Sequence, residues 1–138
     1  MNKICTSIEQ SNKLIELGID VGSADMYYEP ASGFNTEPSE LKVGDIKYAH
    51  PLSVPAWSLS RLLDLMPRSI KRNEVGVHKT TYWLNIDFDD IYYTTCDKYK
   101  DDMLEWINEV DNTLTDNAFN MVCWLLKNKE IFYRYKYE

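Results

Sequence analysis

Read from its start, the chain first shows a helical period. Ile8, Ser11 and Ile15 fall on one face, with Glu9, Asn12, Lys13 and Glu16 on the other, the arrangement of an amphipathic surface helix. Thr6-Ser7-Ile8-Glu9 has capping-box spacing, with a hydroxyl three residues before a Glu. Gly18 supplies the left-handed residue that ends the helix, and Ile19 can fold back onto Leu14. Residues 24–29 (ADMYYE) predict a short strand. The next dozen, through Pro30, Gly33, Pro38 and Gly44, read as turns, followed by a weak strand at 46–48. In VPAWSLSRLLDLMP, Leu59, Leu62, Leu63 and Met66 keep i, i+3, i+4, i+7 spacing, and Pro67 forbids continuation. Arg61 and Asp64 lie three apart on the wet side of this helix, where they can pair weakly. Trp57 is read as an anchor packing the helix end, in preference to a recognition hook.

Over residues 77–96 the period changes to two. Tyr82, Leu84, Ile86 and Phe88 alternate with Trp83, Asn85 and Asp87, and residues 91–96 (IYYTTC) are β-branched and aromatic. Two strands separated by Asp89-Asp90 predict a hairpin, because Asp tolerates turn geometry by bonding its own backbone. Met103, Trp106, Ile107 and Val110 return to helical spacing, with Asp101, Asp102, Glu105 and Glu109 opposite. This predicts a helix over 101–110. A last helix follows over 117–128, capped by Thr115 or Asp116. Its stripe of Ala118, Met121, Val122, Leu125 and Leu126 is widened by Phe119, Cys123 and Trp124. So wide a stripe predicts burial on more than one side, either as a central core helix or in a homo-oligomer through this helix. The tail alternates Ile131, Tyr133, Tyr135 and Tyr137 with Phe132, Arg134 and Lys136, the pattern of a strand. The expected fold is α+β: a single domain over residues 1–138, with about four helices packed on a small antiparallel sheet that contains a central β-hairpin.

Composition supports that picture without narrowing it. The 138 residues are 44% hydrophobic and 27% charged, ordinary for a globular protein. No apolar run exceeds the six residues 121–126, so no segment spans a bilayer. The opening residues Met1-Asn2-Lys3-Ile4-Cys5 lack the apolar core of a signal peptide. Three scattered cysteines, Cys5, Cys96 and Cys123, fit a reducing compartment, and the expectation is a cytoplasmic protein with no membrane association. The net charge of −7 is unevenly placed. Between residues 87 and 116, ten acids (Asp87, Asp89, Asp90, Asp97, Asp101, Asp102, Glu105, Glu109, Asp111 and Asp116) face only Lys98 and Lys100. Such an acidic balance argues against direct nucleic-acid binding of the basic kind.

Candidate chemistry concentrates in NIDFDD, residues 85–90. Asp87 and Asp89, two apart on a strand, would share a face and offer oxygens to a hard cation such as Mg²⁺. They could also divide acid and base roles. The other ligands are not apparent, and the favoured reading is that Asp89 and Asp90 form a turn while Asp87 is solvated. His50 reads as a loop residue. A Cys96–His78 pair across the sheet is conceivable, but Cys96 sits among strand residues and Cys123 on the apolar helix, the settings of structural thiols. No phosphate loop, Cys-x-x-Cys or His-x-x-x-His spacing occurs, and no cofactor is expected. FYRYKY, residues 132–137, interleaves aromatics with bases as single-strand binders do. It reads better as an edge strand with tyrosines inward and Arg134 and Lys136 outward. PRSIKRN, residues 67–73, has too few bases for strong phosphate binding. The remaining surface feature is acidic. Asp101, Asp102, Glu105 and Glu109, with the Asp89-Asp90 turn nearby, form the candidate interaction surface, and such a row can imitate nucleic-acid phosphates.

Three stretches carry a resemblance: TSIEQSNKLIELGID with SADMYY, VPAWSLSRLLDLMP, and DNAFNMVCWLLKN. Over about half the chain they resemble a group of short uncharacterised proteins encoded in phage, prophage and other mobile regions of gut bacterial genomes. The resemblance implies a small accessory protein of a mobile element in a bacterial cytoplasm, and it carries over no functional residue. The expected function is a noncatalytic protein–protein interaction module. An acidic inhibitor mimicking nucleic acid is the alternative, and a divalent-metal enzyme using Asp87 or Asp89 is the minority reading.

Overall fold

A computed structural model of the chain describes residues 3–32, 35–73, 79–95, 103–108 and 112–128. Helix α1 (Ile8–Glu16) leads through a 3-10 turn (Val21–Ser23) into β1 (Met26–Ser32) and β2 (Asn35–Val43). A second 3-10 turn (Ile46–Tyr48), β3 (Val54–Ala56) and α2 (Leu59–Leu65) follow. Then come β4 (Ser69–Asn73), β5 (Lys79–Asp87), β6 (Asp90–Thr94), β7 (Met103–Ile107) and α3 (Leu114–Lys127). The strands form two antiparallel sheets, ordered β2-β1-β3 and β4-β5-β6-β7. The fold is therefore α+β, with three α-helices among the described residues rather than four.

Local chemistry sets each helix boundary. At α1 the capping box lies one residue later than expected. The Ser7 hydroxyl accepts from the Gln10 amide at 3.1 Å, and the Gln10 side chain accepts from Ser7 N–H at 3.0 Å. Thr6 cannot serve as the cap because it is buried, with its hydroxyl bonded to Ser11 (2.8 Å) and accepting from Trp57 N–H (3.1 Å). The buried face of α1 centres on Ser11 and Leu14, and Ile15 is exposed. The helix ends as expected: Gly18 has φ +95°, and Ile19 N–H returns to the Leu14 carbonyl at 3.1 Å, a Schellman closure. Helix α2 is capped by Ser58, and α3 by Thr113 with Asp116 as its reciprocal partner. The α3 cap thus lies earlier than Thr115, which is itself buried.

Two expectations fail for physical reasons. Residues 35–43 form a strand because their backbone pairs with β1, although the side chains of 37–43 are mostly exposed and show no alternation; Pro30 and Pro38 fall at its register shifts. Residues 46–48 then turn as a 3-10 segment capped by Asp45, whose carboxylate accepts from Lys47 N–H at 3.0 Å. The expected helix over 101–110 is instead β7 where it is described. Met103 pairs with Thr94, and Glu105 with the next residue, Tyr93, so Leu104 is an extra residue in the ladder. That bulge lets Leu104 and Ile107, three apart, both pack on the core. A bulged strand thereby imitates helical spacing.

The main core gathers Leu14, Trp57, Leu62, Leu65, Ile70, Tyr82, Ile91, Tyr93 and the buried side of α3. Helix α3 packs against α2, β6 and β7, which is the reason its apolar stripe is so wide. Trp57, fully buried, is the anchor expected of it. Arg61 and Asp64 form no ion pair, the ion pairs of the described residues lying elsewhere. The first described residues thread between the helices. Thr6 N–H donates to Trp57 C=O (3.0 Å) and Leu59 N–H to Ile4 C=O (3.1 Å), while the Thr115 hydroxyl donates to Lys3 C=O.

Candidate functional site

The β5–β6 hairpin is present, but its turn is Phe88-Asp89, with Asp87 opposite Asp90 as the last paired residues. Phe88 takes the positive φ, +54°, that mirror-image hairpin turns require at their first central position. Asp90 is therefore a strand residue. Asp89 lies at the tip, where its carbonyl accepts from the buried Asn117 side chain of α3 at 2.8 Å. Asp87 and Asp89 do not share a strand face as expected, because the strand has ended between them. Among the described residues no group of three or more His, Cys, Asp or Glu side chains converges as a metal site.

Strand register then defines two faces of the four-stranded sheet. Ile70, Tyr82, Leu84, Ile91 and Tyr93 point to the helices. On the opposite face, Trp83 pairs with Thr94, Asn85 with Tyr92, and Tyr92 in turn with Trp106. Trp83 thus stands diagonal to Tyr92, within reach of a large ring. Tyr92 and Trp106 meet edge to face, their ring centroids 6.5 Å apart and their planes inclined at 69°. Trp83 remains 45% exposed, and Trp106 and Met103 are each 47% exposed. Two bonds hold Trp106. Its indole N–H donates to Asp90 Oδ2 at 3.3 Å, and its backbone N–H to Glu105 Oε1 at 2.9 Å. Of the expected interaction residues, this outer face holds Asp90 beside the tryptophan; Glu105, opposite Tyr93, belongs by register to the inner face and reaches only the Trp106 backbone N–H, and Asp89 lies at the hairpin tip. Asp101, Asp102 and Glu109 lie outside the described residues, as do Cys96, His78 and the Tyr133–Tyr137 tail.

A second polar cluster lies where α1 meets α3. Lys3 Nζ contacts Gln10 Oε1 at 2.6 Å and Asp116 Oδ1 at 2.7 Å, and Gln10 also donates to Asp116 at 2.9 Å. An open groove of about 750 Å³ runs beside it, with Ser58, Asp89 and Thr115 in its lining. Burial acts to raise the Asp116 carboxyl, but hydrogen bonds from Lys3, Gln10 and Thr113 outweigh it and hold the group at about 2, below the usual 3.8. A carboxyl held down in the folded state stabilises it above the unfolded value and loses that contribution as protons return. Denaturant titrations are therefore expected to show the native protein about 1 kcal/mol more stable than Asp116→Asn at neutral pH, allowing for partial screening by solvent. The difference should close as pH falls from about 4 to about 2. A gap unchanged over that window would assign the bridge no role in acid stability.

The described thiols are buried and unpaired. Burial pushes Cys123 up to about 11 against the pull of Lys127 and Lys13, and it also raises Cys5, beside the Tyr28 hydroxyl at 3.4 Å. Neither has the thiolate character a nucleophile needs. His50 lies in a loop, its Nδ1 accepting from Leu52 N–H at 3.1 Å.

No protein-family profile matches the chain, and neither curated proteins nor solved structures give a significant match.

Proposed function

We propose that the protein is a noncatalytic accessory protein of phage or mobile-element origin, acting in a bacterial cytoplasm as a protein–protein interaction module. Its docking surface in this reading is the outer face of β5–β7. The observation that carries the reading is the pair Trp83 and Trp106, left half-exposed on either side of the more covered Tyr92 on a sheet whose other face already serves the core. Large rigid aromatics give much contact area for little lost side-chain entropy, and they dominate the energetics of protein interfaces. Asp87 and Asp90 border the row and would steer a basic partner toward it.

The nucleic-acid mimic is less well supported. It needs a row of carboxylates on one helix face, and Glu105 instead belongs to a bulged strand.

The test compares native protein with Trp83→Ala/Trp106→Ala as bait in host lysate, followed by affinity measurement with the identified partner in purified form. The variant is expected to fold, because both side chains are half-exposed, and to bind at least tenfold more weakly. Equal affinity of the two baits would overturn the assignment of this face.

A further inference from the structure

Resting on that docking surface, we infer that it receives an arginine side chain of the partner, seated against Trp106 and Tyr92 and paired with Asp90 and Asp87. The rings prepare the place. Tyr92 and Trp106 meet at 69°, so their planes form a corner rather than a flat stack. The Asp90 bond holds the Trp106 indole in one orientation. A guanidinium stacks on an aromatic plane and is held electrostatically within about 6 Å of a ring centroid, Trp being the best platform.

The charges around the corner are incomplete without such a group. Asp87 and Asp90 are directly opposed across the ladder, a placement that is destabilising for like charges. The ion pairs among the described residues draw on Lys3, Lys13, Lys42 and Lys47, and none of them reaches Asp87, Asp89, Asp90 or Glu105. Asp90 spends one oxygen on the indole N–H, and a carboxylate has about four acceptor positions. A planar, forked cation satisfies these demands together: its face lies on the ring and its N–H groups reach the carboxylates. Lysine, a compact and strongly hydrated point charge, meets only the second. Phosphate-bearing ligands are repelled by the same acids.

Random dodecapeptides displayed on a carrier can be selected on the native protein and counter-selected on Trp83→Ala/Trp106→Ala. The recovered peptides are expected to share an arginine. Its replacement by citrulline, of the same shape but uncharged, should weaken binding at least tenfold. Asp90→Asn should produce a similar loss with the arginine peptide and little further loss with the citrulline peptide. Since citrulline sits on the peptide, the folding of the protein does not enter that comparison. Peptides that depend on the tryptophans but bind equally with citrulline would overturn the arginine and leave the docking face standing. Recovery of no tryptophan-dependent peptide would overturn the inference, and the face would then stand or fall by the purified-partner affinities alone.

Discussion

Replacing Trp57 by Ala is expected to cost about 3–5 kcal/mol of unfolding free energy, the range for a large aromatic removed from a core. Trp57 has no exposed surface and lies in the main cluster. Its indole N–H donates to the Ser23 hydroxyl at 3.0 Å, while its backbone N–H and C=O are both bonded to Thr6. It therefore joins α1, the first 3-10 turn and the entrance to α2. Trp57→Phe should keep most of the packing and lose the indole bond, at about 1–2 kcal/mol. Urea titrations followed by circular dichroism give both values, with unchanged slopes marking intact two-state unfolding. An alanine cost below about 1 kcal/mol would contradict the anchoring role.

Tyr93 is the second large effect. It is fully buried on the inner face of β6, and its hydroxyl donates to the Pro67 carbonyl at 2.7 Å. That bond ties the four-stranded sheet to the chain leaving α2. Tyr93→Phe removes the donor alone and should cost about 1–2 kcal/mol. Tyr93→Ala also opens a cavity beneath the aromatic row and should cost about 3–5 kcal/mol. The same titrations apply. If Phe proved as costly as Ala, the ring would contribute nothing beyond its hydroxyl. Trp83 and Trp106, of similar size but half-exposed one layer above, should cost far less, and that contrast separates the residues that build the sheet from those it displays.

How much of this was legible beforehand depended on what each segment buries. Helix α2 and the last helix announce themselves because a one-sided or wide apolar stripe leaves a clear period, and the β5–β6 hairpin because its inner face alternates. Strand β2 was invisible: it is held by backbone pairing, and its exposed side chains carry no pattern. Strand β7 was misleading, since the residue added at Leu104 shifts the phase of its core contacts to that of a helix. The same error hid the candidate site. Helical spacing puts Trp106 on the buried stripe of a helix, and its adjacency to Tyr92 emerges only with strand register. Trp83 was the available signal, an aromatic on the wrong side of a two-residue alternation. The acids drew attention first, yet their arrangement around the rings depends on a turn that begins one residue earlier than its composition suggests.

The thread of residues 3–6 between the helices bears on how the chain is made. Thr6 finds its partner 51 residues away at Trp57, and Lys3 finds Asp116 across 113 residues. At ribosomal speed the second separation corresponds to a delay on the order of 5–20 s. The earliest part of this fold to emerge is thus among the last to be secured. Until α3 has been synthesised, this thread can be held to the entrance of α2 through Ile4 with Leu59 and Thr6 with Trp57, but the final turn of the lock belongs to a helix that does not yet exist.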